Sequence, residues 1–89
     1  MKVIWTSPAW DEFEAWIQDD LKTAKTIVGL ICYIREGKPG VAKKLWRDLD
    51  GWDALEIVDS HRLVFRVKDG ELQILACFDH YPKDSRAIS

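Results

Sequence analysis

The sequence predicts a small α+β domain in which an antiparallel sheet has a helical hairpin packed on one face. Two observations support this class: apolar residues recur at helical spacing in the first part of the chain, and they alternate with polar residues after residue 54. The predicted order of elements is β-α-α-β-β-β. Because 89 residues can bury one hydrophobic core, we expect a single domain, over 1–81. The remaining residues, 82–89, are expected to form a flexible tail.

The first strand and the first helix are predicted within the opening 20 residues. Lys2–Trp5 is short, β-branched and aromatic, which favours a strand. Ser7 is the expected N-cap of the helix because its hydroxyl can accept from an exposed N–H, and Pro8 suits the first helical position. The helix is expected to end near 19–20 and to pack one apolar stripe, made of Trp10, Phe13, Trp16 and Ile17.

A second helix is predicted from about Thr23 to Arg35, and its short link to the first favours an antiparallel hairpin. Gly37 closes this helix and Pro39 prevents its continuation. The segment 37–53 is rich in Gly, Pro, Lys and Asp and is expected to be a long loop, which in a small domain is usually functional or flexible. The buried stripe of the second helix is expected to be Ala24, Ile27, Val28, Ile31 and Ile34.

Three more strands are predicted in the second half of the chain, over 54–58, 61–68 and 71–80. The last two flank Asp69-Gly70, the strongest hairpin signal in the sequence. Alternation along the final strand predicts that Leu72, Ile74, Ala76 and Phe78 share one face, with Gln73, Leu75, Cys77 and Asp79 on the other.

The predicted register of this hairpin places Arg62 near the polar residues at the end of the final strand. Counting outward from the turn, with no bulge, places Arg62 opposite Cys77 and next to the strand end that contains His80 and Tyr81. Arg62 offers a fixed positive charge and forked donors for phosphate, and His80 can exchange a proton near neutral pH. Tyr81 adds a hydroxyl or a stacking face.

This set suits metal-free cleavage of RNA, in which the 2′-hydroxyl attacks the adjacent phosphate while an acid, a base and cations assist. The competing interpretation is structural: His80 caps a strand, Tyr81 covers the core, and Arg62 pairs with Asp59 or Asp79. From the residues alone, the structural interpretation is the more common one.

Charge is distributed in blocks, although the formal net charge is only −2. Residues 21–47 contain seven Lys or Arg and one Glu, whereas 48–61 contain five Asp or Glu. A basic face would suit a polyanionic partner, but solvated surface charge explains most runs of this length. The chain has no apolar run near the ~18 residues of a membrane span and no secretory h-region, so we expect a cytoplasmic protein without a membrane partner.

Metal and cysteine chemistry have little support in the sequence. Cys32 and Cys77 are the two cysteines, no CxxC occurs, and both are expected to be buried free thiols. No cofactor motif and no metal-ligand spacing is present, so neither a cofactor nor a metal is expected.

Three segments resemble the YoeB/Txe toxins of the RelE/ParE superfamily: Val3–Trp5 with Trp10–Phe13, the strand His61–Phe65, and the ending Ala76–Tyr81. The resemblance implies a RelE-like, microbial-RNase-like fold and the toxin of a bacterial type II toxin–antitoxin system. Such toxins cleave mRNA in the ribosomal A site, are inhibited by an antitoxin partner, and can form a homodimer. Carried over residue by residue, the resemblance implies that Arg62 stabilises the phosphate, His80 is the catalytic histidine and Tyr81 is the tyrosine that follows it.

The chain departs from the family pattern before and within the second strand of the sheet. Lys43 occupies the position of the family's glutamate, the proposed general base; Trp46 replaces a lysine, and Glu56 replaces an arginine. Three interpretations are open: a lysine-rich site in which His80 or a lysine is the base, a site in which Glu56 is the base, or weak or lost catalysis. The third would make the chain a non-catalytic or divergent toxin, either a gyrase poison or an inactive binding module.

Two surfaces are expected to bind partners. The candidate RNA-binding residues are Lys43, Lys44, Arg47 and Trp46. The acidic stretch 48–59 could instead dock an antitoxin or a second copy of the chain. Trp46 and Trp52 are ambiguous, because either can contact a partner or anchor the loop.

Overall fold

The computed structural model describes residues 1–37, 43–44 and 51–78, and for 43–44 the backbone alone. This part of the chain forms two helices and one five-stranded sheet, so the predicted α+β class is confirmed. In chain order the elements are β1 (Lys2–Trp5), α1 (Ser7–Asp19), α2 (Leu21–Arg35), β2 (Lys43–Lys44), β3 (Asp53–Glu56), β4 (Arg62–Lys68) and β5 (Glu71–Ala76).

The sheet is mixed, whereas an antiparallel sheet was expected. Its order is β1-β5-β4-β3-β2, and β1 runs parallel to β5 while the other pairs are antiparallel. Between β1 and its parallel partner β5 the chain passes through both helices and then through β2, β3 and β4, and a connection of this length permits parallel pairing. Strand β2 lies inside the expected loop and pairs Lys43 with Ala54 and Lys44 with Asp53.

The helix boundaries are set by two polar side chains. Thr6, not Ser7, is the N-cap of α1: its Oγ1 accepts from the N–H of Ala9 at 3.1 Å and also donates to Leu75 O at 3.2 Å. Ser7 is already the first helical residue. The sequence could not separate these two adjacent hydroxyls, because the contact with β5 that favours Thr6 is a tertiary one.

Asp20 separates the two helices and makes α2 begin earlier than predicted, at Leu21. It is the C-cap of α1 and the N-cap of α2, where its carboxylate accepts from Thr23 N at 3.2 Å and from Thr23 Oγ1 at 2.7 Å. These hydrogen bonds hold the pKa of Asp20 below its ordinary value. A single residue therefore reverses the chain and closes the helical hairpin.

The main core lies between the helices and one face of the sheet. The predicted stripes are only partly buried: Trp10, Ile17 and Val28 are each more than two-fifths exposed, because each helix turns a narrow side toward the sheet. Trp10 instead packs at the edge of the core, with ring centroids 5.5 Å from Trp5 and 5.7 Å from Phe13. The buried members are Ala9, Phe13, Ala24, Ile27, Ile31, Ile34, Leu55, Leu63, Phe65, Leu72, Ile74 and Cys77.

A β-bulge in the β4–β5 pair overturns the predicted register at one end. The ladder follows the expected pairing up to Phe65↔Ile74, but the next pair is Val64↔Ala76, which leaves Leu75 as the extra residue. Beyond the bulge the faces change over: Ala76 joins Val64 away from the helices, and Cys77 enters the main core. The expectation that Arg62 lies opposite Cys77 is therefore wrong by one residue.

Other expectations have mixed outcomes. Cys77 is a buried free thiol, but Cys32 is exposed on α2 rather than buried. Strand β5 ends at Ala76 rather than at residue 80, and 79–89, including the predicted tail, lie outside the described residues. Within the described part of the chain, neither helix has the length and apolarity needed to cross a bilayer.

Candidate functional site

The face of the sheet turned away from the helices has its own small core and is here termed the open face. Ala54, Val64, Leu75 and Ala76 are buried there, with Trp52 packed against them. Because side chains alternate along a strand, the residues that share this face with Val64 on β4 are Arg62, Arg66 and Lys68. This alternation places the cations of β4 in one row.

Arg62 opens β4 at the end of the sheet where the ladder stops. Its side chain is half-buried, and within the described residues its Nη1 atom is buried without a hydrogen-bond partner. A buried guanidinium nitrogen without an acceptor is costly. Such a nitrogen is well suited to receive an anionic oxygen, since charge-assisted bonds to phosphate are strong.

Glu56 lies directly across from Arg62 in the β3–β4 register. Opposed residues have Cβ atoms about 5 Å apart, so the side chain of Glu56, an exposed residue, starts close to that of Arg62. The structure therefore brings together one predicted cation and the predicted substitute base. An anion at this point also opposes binding of a phosphate, by about 1–4 kcal/mol at 4 Å.

Arg66 belongs to a second cluster on the open face that sequence reasoning did not single out. Its guanidinium carbon lies 4.3 Å from the centroid of the Trp52 ring, and its Nε donates to Gln73 Oε1. Gln73 Nε2 in turn donates to Glu71 Oε1 at 3.3 Å. These contacts fix the Arg66 side chain, and Trp52, one of the two ambiguous tryptophans, anchors the open face through them.

The other predicted site residues are only partly accounted for. Lys43 and Lys44 form β2, where Lys43 is level with Ala54 of the open face. Trp46, Arg47, His80 and Tyr81 lie outside the described residues, so their predicted roles stay predictions.

The end of β5 is attached to α1 through Cys77. The N–H of Cys77 donates to Glu12 Oε1 at 2.8 Å, and the indole Nε1 of Trp16 donates to Cys77 O at 2.8 Å. Burial raises the pKa of Glu12, and the hydrogen bond from Cys77 opposes that shift. Burial, helped by the charge of Glu12, raises the pKa of the Cys77 thiol to about 12, so this cysteine is not an activated nucleophile.

His61 packs in an aromatic cluster at the same end of the sheet. Its ring centroid is 4.9 Å from that of Trp16 and 4.7 Å from that of Phe78. Its main chain closes the turn before β4, with the N–H donating to Val58 O and the carbonyl accepting from Ile57 N, each at 2.9 Å. Trp16 therefore contacts both the strand end and the residue that precedes Arg62.

Solved structures place this fold among bacterial toxins. A heterotetrameric YoeB–YefM toxin–antitoxin complex from Staphylococcus aureus contains a chain that is 28% identical, with a TM-score of 0.82 over 91% of this chain and 98% of that chain. A YoeB dimer from Staphylococcus aureus is also 28% identical, with a TM-score of 0.83 and the same coverage.

Sequence comparison identifies the family. The chain belongs to the YoeB-like toxins of bacterial type II toxin–antitoxin systems, whose sequence profile matches residues 5–81. Toxin YoeB of Escherichia coli strain K12 is 39% identical over 85 residues, which cover 91% of this chain and 100% of that protein. The resemblance found in the sequence is therefore confirmed.

Proposed function

We propose that this toxin is a ribosome-dependent, metal-independent mRNA endonuclease that acts in the cytoplasm. The observation that supports this most directly is Arg62, whose buried Nη1 lacks a hydrogen-bond partner among the described residues. It opens β4 on the open face, beside the strand whose continuation contains His80 and Tyr81. Cleavage of a phosphodiester requires a cation that stabilises the phosphate and a group that transfers protons, the role proposed for His80.

In the proposed reaction, the 2′-oxygen of a nucleotide attacks the adjacent phosphorus while a base takes the 2′-hydroxyl proton. The bond from phosphorus to the 5′-oxygen breaks, and an acid protonates that oxygen as it leaves. The products are a 2′,3′-cyclic phosphate and a 5′-hydroxyl, so no water or metal is consumed. Arg62 stabilises the charge that develops on the phosphate oxygens, and His80 acts as acid or base, with Tyr81 beside it.

Two groups compete for the role of base left by the family's glutamate. Glu56 is favoured by its position across from Arg62, which places a carboxylate next to the proposed phosphate site. A lysine-rich site built on Lys43, Lys44 and His80 is favoured by the pairing of β2 with β3, which brings this basic segment to the sheet. The cost of an anion beside a phosphate favours the lysine-rich arrangement whenever Glu56 is ionised.

The open face is the proposed RNA surface. Arg62, Arg66 and Lys68 lie in a row along β4. The residues proposed to extend this surface come from the segment before β3: Lys43, Lys44, Arg47 and Trp46.

The proposed protein partner is a cognate antitoxin, because the related Staphylococcus aureus toxin is found in complex with YefM. The dimer of that toxin supports a homodimer as the second proposed assembly.

A divergent toxin without nuclease activity is the second candidate, acting as a gyrase poison or as an inactive binding module. Its support is the replacement of a family arginine by Glu56 directly beside Arg62.

Cleavage of mRNA in a reconstituted translation reaction, mapped by primer extension, tests the two candidates. We expect wild type to cut mRNA at the ribosomal A site, and Arg62→Ala and His80→Ala to lower the rate by at least about a hundredfold. Lys25→Ala, an exposed position on α2, is the matched control for loss of a positive charge. If both site variants cleave like wild type, or if only a parallel supercoiling assay responds to the toxin, the nuclease proposal fails.

A further inference from the structure

Strand β5 leaves the sheet in a way that needs help from α1. The last pair of the β4–β5 ladder is Val64↔Ala76, so Cys77 is the first residue whose main chain has no ladder partner. Unpaired main-chain groups at such a point usually find water. Here both are taken by helix side chains: Glu12 accepts from the N–H and Trp16 donates to the carbonyl, each at 2.8 Å.

We propose that Glu12 and Trp16 are positioning residues. They fix the main chain of Cys77 and thereby determine, relative to Arg62, the point from which the chain continues to His80. This inference rests on the proposed nuclease function. Neither side chain is assigned a contact with RNA, and both act through the main chain of a residue that lies three positions before the proposed catalytic histidine.

The geometry supports a positioning role because α1 contacts Cys77 at three atoms, its N, its O and its Sγ. Glu12 and Trp16 are four residues apart on α1 and therefore lie on the same side of the helix. Ala9, one turn before Glu12, presents its carbonyl oxygen 3.6 Å from Cys77 Sγ. Rotation or sliding of Cys77 would break these contacts together, so the strand end is held in place and in direction.

The contacts of Cys77 with α1 lie at the point from which the chain continues toward the proposed catalytic histidine. Phe78 is half-exposed, so burial of its side chain holds this part of the chain less firmly than the contacts of Cys77 do. Cys77 precedes His80 by three positions in the sequence, so the main chain held at Cys77 is where the segment that contains His80 begins. On the other side, Trp16 contacts the ring of His61, the residue before Arg62. One helix thus touches both segments from which the proposed site is built.

The experiment compares four variants of the full chain by cleavage kinetics on ribosome-bound mRNA and by hydrogen exchange of the Cys77 N–H, followed by NMR. Trp16→Phe keeps an aromatic ring and removes the N–H donor. Glu12→Met removes the acceptor, whereas Glu12→Gln loses the charge but keeps an acceptor oxygen. Glu14→Met, at an exposed position of α1, is the matched control for Glu12→Met.

We expect Trp16→Phe and Glu12→Met to lower kcat by about ten- to a hundredfold with little change in KM, since a small misplacement of a catalytic group has that effect. Glu12→Gln and Glu14→Met should stay within about threefold of wild type. Hydrogen exchange of the Cys77 N–H should be at least about tenfold faster in Trp16→Phe than in wild type and in Glu12→Met than in Glu12→Gln, because the strand end is then held less firmly.

Unchanged hydrogen exchange of the Cys77 N–H in Trp16→Phe overturns the proposal, even if cleavage falls, because the defect then arises elsewhere. If Glu12→Met does not fold, Trp16→Phe decides alone, since it leaves the charge unchanged and keeps an aromatic ring against His61 and Phe78. If wild type does not cleave mRNA, the nuclease proposal has failed. Hydrogen exchange of the Cys77 N–H then still decides whether α1 holds the strand end.

Discussion

The two ends of the β4–β5 hairpin are held together by different forces. At the turn end, Asp69 and Gly70 both have positive φ, 54° and 76°, as a tight two-residue turn requires, and the ladder is regular. At the far end, a bulge at Leu75 shifts the register, and side chains of α1 replace the missing ladder partner. Local turn chemistry governs the first end, and packing between distant segments governs the second, where the candidate site lies.

The largest expected effect is a difference in the free energy of unfolding between substitutions at the two ends of the β4–β5 hairpin. Phe65, at the last regular pair before the bulge, is 1% exposed, whereas Val67 on the same strand is 50% exposed. Phe65→Ala should lower the free energy of unfolding by about 3–5 kcal/mol, and Val67→Ala by less than about 1 kcal/mol. Urea denaturation checks the pair, and equal losses would show that the turn end is packed as tightly as the bulge end.

A smaller effect distinguishes two neighbouring hydroxyls at the start of α1. Thr6→Ala should cost about 0.5–2 kcal/mol, because it removes the cap of the Ala9 N–H and a contact with β5. Ser7→Ala should cost under about 0.5 kcal/mol, since Ser7 is exposed. Thermal unfolding of both variants provides the measurement, and a larger loss from Ser7→Ala would contradict the observed cap.

The smallest expected effect is a pair of opposite pH trends. The pKa of Asp20 is lowered from 3.8, so its contribution to stability is present above that pH and is lost as the pH falls through the folded-state pKa. The pKa of Glu12 is raised from 4.5, so its contribution is present below that pH and is lost as the pH rises through the folded-state pKa.

Urea midpoints measured from pH 3 to pH 7 for Asp20→Asn and Glu12→Gln check these signs. Relative to wild type, Asp20→Asn should lose more stability at neutral pH than at acid pH. The stability of Glu12→Gln relative to wild type should be highest at neutral pH, because the wild-type carboxylate is then charged and partly desolvated. A parallel trend in both variants would contradict the assigned environments.

Most of the fold could be predicted from local patterns. The spacing of apolar residues located both helices, and the turn at Asp69-Gly70 predicted its hairpin, because these signals depend on neighbours in sequence. Burial of single residues was less predictable: Val28 fits the helical stripe but remains exposed, since the width of the buried side depends on what packs against it.

The candidate site was predicted in part. Arg62 was found from its residue type and strand position, and the structure adds a buried Nη1, without a hydrogen-bond partner in the described part of the chain, that makes it suited to a phosphate. Glu12 and Trp16 were missed, because in the sequence they resemble an ordinary helix carboxylate and a core tryptophan. Their contacts join residues 65 and 61 positions apart, and no local pattern reports such a distance.

The sequence by itself determined the α+β class, the helical hairpin, the tight turn and the family. Tertiary structure alone decided the parallel pairing of β1, the bulge at Leu75 and the attachment of Cys77 to α1. The physical reason is that periodicity and turn residues act over a few positions, whereas register at a strand end depends on which side chains the core can bury. Leu75, Ala76 and Cys77 are all buried only because the bulge directs them to two different cores.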